Sequence, residues 1–343
     1  MRIRKSRSSL IAGAALLALL AVGAVALAGS IRYSPARTPI AIAATPIASF
    51  DNREPSRARF GALEFRGGLA LTSSYEPFGG ISALRVEPDG SRFLALTDNG
   101  SWLSARMLYA NGRLSGIADA EMAPMLGSDG RPLAERGWYD AESLATADGF
   151  VYVGIERVEK IVRFDYAHDG IAARGQPIKV PDDFKTFTYN KSLECLTVPP
   201  QGAPLAGTLI AVTERSLDAQ GNHRSYLLKG NSVGRFAVKR RDNFDVSDCT
   251  ILPPGDLLLL ERRFSTRRGL AMRIRRIPLT SIKPGALADG EPMIEADLAY
   301  QIDNMEGIAV HRNAAGETII TLVSDDNFSV LQRNLLLQFA IVE

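Results

Sequence analysis

The chain has 343 residues, 46% of them hydrophobic, and a net charge of +2. That is enough apolar material for a large core in one or two domains. The small charge, with arginines scattered among acids, excludes the clustered basic face that nucleic-acid binding needs.

Residues 1–28 read as a signal peptide. Arg2, Arg4, Lys5 and Arg7 lead an uncharged apolar run from Leu10 to Ala28, which ends in Ala26-Leu27-Ala28, a small-residue cleavage pattern. An uncleaved membrane anchor is the alternative, since 19 apolar residues approach a bilayer's thickness. Either way the rest of the chain is expected outside the cytoplasm, periplasmic or secreted. Residues 29–56, rich in Pro, Ala and Thr, read as a linker. Residues 57–343 then read as one β domain.

That domain repeats itself. DAESLATADGFVYVGIER, from Asp140, places Glu142 at the head of one strand and Glu156 at the end of the next. The same arrangement recurs with Glu194 and Glu214, with Asp248 and Glu261, and with Glu306 and Asp325; near residue 80 it has Ser82 and Asp98. A period of roughly 50–60 residues signals an array, a solenoid or a propeller. Each repeat divides into about four short runs rich in Val, Ile, Leu, Phe and Tyr, bounded by turn formers, and four short strands per period make a propeller blade. The fifth repeat has only three strands, and Phe60–Leu71 is placed to supply its missing outer one, which removes an exposed sheet edge. The expected fold is therefore an all-β β-propeller with five blades. Six is the alternative, if Arg106–Arg136 conceals a degraded blade; the nearest helix candidate, Ala118–Met125, is short.

In each repeat the first acid starts a strand and the second ends its antiparallel neighbour, so the two should meet. If the first strand lines the channel, nine acids gather at one mouth: Asp98, Glu142, Glu156, Glu194, Glu214, Asp248, Glu261, Glu306 and Asp325. Carboxylates that close raise one another's pKa or recruit cations. Arg157, Arg215 and Arg262, each directly after a second acid, are one source of compensation. A hard divalent cation is the other, and Ca²⁺ suits an all-oxygen set. The plainer reading makes each Glu–Arg pair a staple between blades, although desolvated ion pairs stabilise poorly.

Other chemistry is thin. His168, His223 and His311 show no metal-ligand spacing, and His168 and His223 are expected at the surface. Gly230–Gly234 matches G-x-S-x-G, but it lies between strands and reads as a hairpin, whereas a nucleophile elbow joins a strand to a helix. Cys195 and Cys249 fall in what look like equivalent slots of neighbouring repeats, so a disulfide and two buried thiols both stay open.

Several of these motifs together resemble the bacterial family named for the esterase-like activity of phytase: FGGISAL with LTDNG, WYDAESLA, SLECLT with VTER, DCTILPPGDLLLLERRF, and DNMEGIAV with VSDDNF. The resemblance runs from about Phe60 to Glu343. It implies a propeller and hydrolysis of phosphate or other esters. The β-propeller phytases hold Ca²⁺ with acids on one face, but none of their catalytic residues carries over to a position of this chain.

The expectation is thus an exported, monomeric, metal-dependent phosphoesterase acting on a small-molecule ester. Glu142 or Glu194 would serve as general base, the three arginines as phosphate clamps, and the nine acids as the metal-ligand pool. A binding propeller for a ligand or an envelope partner, and a metal-dependent lactonase or carboxylesterase, are the alternatives.

Overall fold

Five strands are buried almost end to end: Ile81–Val86, Ala141–Ala147, Leu193–Thr197, Asp245–Leu252 and Asn304–Arg312. A strand is apolar on both faces only when both are covered. Here each is the innermost strand of a blade and packs between the two neighbouring blades. Small residues permit the approach. A Cβ on Gly307 would come within 2.6 Å of Val323 and 3.0 Å of the Leu84 nitrogen of the next blade. The computed structural model describes residues 32–267 and 269–342; the segment read as a signal peptide lies outside them. No helix among the described residues is long and apolar enough to cross a membrane.

From these inner strands five antiparallel sheets radiate, one per repeat. Blade 1 continues through Arg92–Thr97, Ser101–Ala110 and Arg113–Pro124. Blade 2 continues through Phe150–Ile155, Lys160–Asp165 and Arg174–Pro177, and blade 3 through Leu209–Leu217, His223–Lys229 and Ser232–Val238. Asp256–Ser265, Gly269–Pro278 and Glu291–Asp297 complete blade 4. Blade 5 takes Thr318–Asp325 and Asn334–Ile341 from the C-terminal end and Leu63–Thr72 from the N-terminal side, paired along eight positions. The fold is a five-bladed β-propeller. The stretch that allowed a sixth blade is instead the long outer hairpin of blade 1, and Ala118–Met125 is largely strand.

Aromatic packing seals the closure. Phe50, Phe60, Phe65, Tyr300 and Phe339 interlock, with Phe50 edge-on to Phe60 at 5.1 Å and to Phe339 at 4.9 Å. Such pairs each add about 0.5–1.5 kcal/mol beyond the area they bury. The stretch read as a linker is built into the molecule where it is described. Thr38–Pro39 pairs with the outer strand of blade 1, and Ala43–Ile47 with Leu63–Thr72. Gly230–Gly234 lies in the hairpin joining the two outer strands of blade 3, with Lys229 opposite Ser232.

Side-chain bonds tie the inner strands to one another. Ser143 Oγ donates to the Leu193 carbonyl and Ser247 Oγ to that of Met305, each at 2.9 Å. Cys195 and Cys249 form a disulfide between blades 3 and 4, with Cα atoms 5.1 Å apart.

Candidate functional site

Near its start, every inner strand slips by one residue against its neighbour. The slips lie between Ile81 and Ala83, Ala141 and Ser143, Leu193 and Cys195, Val246 and Asp248, and Met305 and Gly307. A bulge leaves one residue unpaired and re-aims its side chain. The residues so placed are Ser82, Glu142, Glu194, Ser247 and Glu306. The residue before each bulge pairs with Thr97, Ile155, Thr213, Glu261 and Ser324 respectively. The next position of each second strand, turned to the other face, is Asp98, Glu156, Glu214, Arg262 and Asp325.

This register brings together seven of the nine expected acids: Asp98, Glu142, Glu156, Glu194, Glu214, Glu306 and Asp325. Asp248 and Glu261 do not join them. Asp248 lies one residue beyond its bulge, fully buried, and receives the Arg85 guanidinium at 3.0 and 3.3 Å. Arg85 also donates to the carbonyls of Leu84, Leu196, Cys249 and Ile308, on four different inner strands, so it plugs the channel below the mouth. Glu261 is buried between Arg273 at 2.9 Å and Arg275 at 2.7 Å, inside blade 4. The same offset means that Cys195 and Cys249 are bonded without occupying equivalent slots.

One acid that the repeat pattern did not single out completes the mouth. Asp140, in the left-handed region at φ 66°, heads the inner strand of blade 2. Its carboxylate and those of Glu142 and Glu156 offer oxygens within 4.8 Å of one another. The sequence carries a signal for it, since Asp140 opens the repeat two residues ahead of the bulged Glu142.

The arginines divide. Arg157 donates to Asp140 at 2.8 Å and to the Tyr139 hydroxyl at 3.0 Å, with its guanidinium 4.6 Å from the Tyr139 ring. Arg215 turns to Asp245. Arg262 enters the mouth, 3.1 Å from Glu306, 3.5 Å from Glu214, and bonded to Asn304 Oδ1 at 2.8 Å. Lys191 reaches Glu214 at 3.1 Å. His168 is exposed, whereas His223 is fully buried; it sits past the tip of the polar hairpin, where the strand returns between Leu217 and Val238.

Electrostatically the mouth is strained. Burial, then the neighbouring acids, push Asp98, Glu142 and Glu194 well above the usual carboxylate range. Burial raises Glu156 to about 7 despite a hydrogen bond from the Ser192 amide. It raises Glu306 to about 8 and Asp325 to about 7 against the pull of Arg262. Glu194 Oε2 and Glu306 Oε2 are buried without a hydrogen-bond partner. A buried anionic oxygen left unpaired costs more than a hydrogen bond normally returns. Two things relieve it: a proton, or a cation bound by hard oxygen donors, which suits Ca²⁺ or Mg²⁺. The residues therefore fit a divalent ion. A cavity of about 420 Å³ lies at the opposite ends of these strands, lined by Thr146, Asp148, Tyr166 and Val198; it gathers no comparable set of carboxylates.

The chain is similar to several solved structures. PQQ-bound aldose sugar dehydrogenase from Streptomyces coelicolor is 14% identical, over 82% of this chain and 99% of that one, with a TM-score of 0.41. The WD40 repeats of RRP9 are 12% identical over 83% and 87%, at 0.37. The N-terminal domain of Nup159 is 10% identical over 84% and 97%, at 0.36. Likeness this distant carries no argument about the site. No curated protein matches the chain. A family model described as phytase-like, "Esterase-like activity of phytase", matches residues 76–328.

Proposed function

The chain belongs to the phytase-like family, and on that premise we propose that it is a metal-dependent ester hydrolase working at the acidic mouth, with phosphate esters as substrates. The observation that carries the proposal is the set of Asp140, Glu142 and Glu156 beside the unpartnered Glu194 Oε2. These three would hold Ca²⁺, with Asp98 close by. A cation there supplies charge stabilisation to a phosphoryl oxygen and lowers the pKa of a water.

The chain's own groups have separable tasks. Glu142 and Glu194 are the candidate bases. Glu194 is the better placed, because Glu142 sits in the ligand set while Glu194 keeps one oxygen free. Arg157, anchored on Asp140 and Tyr139, holds a substrate anion at the rim in forked geometry. Arg262 opposes it from the far side of the mouth. Arg215, committed to Asp245, takes no part. The Arg85 plug makes the site a blind cup, so ester and water enter from one face. The N-terminal segment and the Cys195–Cys249 disulfide support a place outside the reducing cytoplasm.

The test joins binding to turnover. Melting is followed in EDTA and in added Ca²⁺, and the same samples are given an aryl phosphate, an aryl carboxylate and a lactone. A rise in Tm with calcium, together with calcium-dependent phosphate release, is expected. A ligand bound only by the native state stabilises by about 2.7 kcal/mol at a hundred times its Kd. Calcium-dependent cleavage of the neutral esters alone would replace phosphate as the substrate class. No calcium effect of either kind would overturn the metal site.

A further inference from the structure

Four blades place a carboxylate at the second-strand position facing the mouth: Asp98, Glu156, Glu214 and Asp325. Blade 4 places Arg262 there. Its guanidinium lies between acids of the two flanking blades, Glu214 of blade 3 and Glu306 of blade 5, and Asn304 Oδ1 fixes its orientation. Glu306, Glu194, Glu214 and Glu142 all hold Arg262 firmly protonated against its desolvation.

The mouth therefore has two unlike halves. Around Arg262, Glu214 also has Lys191, and Glu306 also accepts from the Asn304 amide at 2.8 Å. Around blade 2, Asp140 has Arg157. Glu142 and Asp98 accept no hydrogen bond from another side chain among the described residues, and both are raised well above the usual range by burial and by other acids. Glu194 stands between the halves, repelled by Glu156 on one side and by Glu214 and Glu306 on the other, with Oε2 buried and unpartnered.

We infer that Arg262 is a built-in cation filling one of two cation positions in the mouth. The chain then binds a single divalent ion, on Asp140, Glu142 and Glu156, while a second position lies latent among Glu194, Glu214 and Glu306. A guanidinium cannot shed its proton at working pH, so its charge is permanent. A second divalent ion placed among the same carboxylates would meet that charge at close range in a poorly screened site. In the reaction the arginine would supply fixed positive charge at Glu214 and Glu306, apart from the carboxylates that would hold the ion. The inference rests on the reading that the mouth takes a divalent cation.

The experiment is a count of bound calcium by equilibrium dialysis and calorimetry at pH 8 on the purified protein, on Arg262→Gln, on Arg262→Lys and on the double variant Arg262→Gln/Glu214→Gln. Calcium is kept present throughout purification so that the variants stay folded, and circular dichroism checks that they are. One ion per chain is expected for the native protein, two for Arg262→Gln, one for Arg262→Lys, and one again for the double variant, which lacks a latent donor. Two ions in the native protein, or one in folded Arg262→Gln, would overturn the inference and leave the metal site standing. No ion in the native protein would remove the metal site itself, and this inference with it. Should Arg262→Gln fail to fold even in calcium, Arg262 is a structural staple and the inference fails.

Discussion

The Arg85 guanidinium meets the Asp248 carboxylate at the centre of the ring of inner strands, 3.0 and 3.3 Å away, with neither group open to solvent beyond a tenth of its surface. Burial nevertheless lifts Asp248 to about 6. Desolvation therefore outweighs the attraction, and the pair is held by its surroundings more than it holds them.

Its removal should show that asymmetry. Arg85→Met alone leaves a buried carboxylate and takes the guanidinium from four carbonyls, and should cost about 3–5 kcal/mol. Arg85→Met with Asp248→Leu should recover most of the loss, because the uncompensated charge is gone. Urea unfolding of both singles and the double measures the coupling. Additive losses would mean that the two residues act independently.

Two glutamates that look alike in sequence should behave oppositely. Glu142→Gln removes a carboxylate from the group near Asp140 and Glu156, and should weaken calcium binding at least tenfold with little change in metal-free Tm. Glu261→Gln leaves Arg273 and Arg275 buried without their shared anion. It should destabilise by several kcal/mol and leave calcium affinity unchanged. Calorimetric titration beside thermal melts separates the two.

That pair also shows where the sequence stopped being legible. The repeat, the four-strand blades and the closing strand could all be read, because short apolar runs between turn formers survive any small error in alignment. The site could not tolerate such an error. In blade 4, Ser247 and Asp248 are neighbours, as are Glu261 and Arg262, and acids alone chose the register. A slip of one residue turns every side chain to the opposite face. Val246, matching the apolar Ile81, Ala141, Leu193 and Met305, was the signal for the true alignment. Arg85 gives no signal at all, since every partner except the adjacent Leu84 carbonyl lies 111 to 223 residues away.

The calcium increment in stability should grow with pH. Glu156 and Asp325 at about 7 and Glu306 at about 8 are raised above their unfolded values. The folded, metal-free protein then binds more protons than the unfolded chain, so its stability falls as pH rises from about 4.5 to about 8. Calcium takes the place of the protons on its own ligands Glu142 and Glu156, while those on Asp325 and Glu306 are common to the two conditions. The difference in Tm between calcium and EDTA should be small near pH 4.5 and largest near pH 8. A difference independent of pH would place calcium away from these carboxylates.

A second pH effect runs the other way and belongs to His223. Burial in blade 3 lowers it to about 4, against the opposing pull of Asp245 and in step with Arg240 and Arg275. In the unfolded chain a histidine titrates near 6.5. Below that value the unfolded state takes a proton that the folded state refuses, so stability is full above about pH 6.5 and falls as pH drops toward 4. The shift corresponds to about 3 kcal/mol at most. His223→Gln has no such proton to gain, and its stability relative to the native protein should improve by up to that amount between pH 7 and pH 4. Urea unfolding of both proteins in EDTA at the two pH values isolates the effect, because the mouth carboxylates are common to both. A difference that stays constant with pH would mean that His223 is protonated, or exposed, in the folded protein.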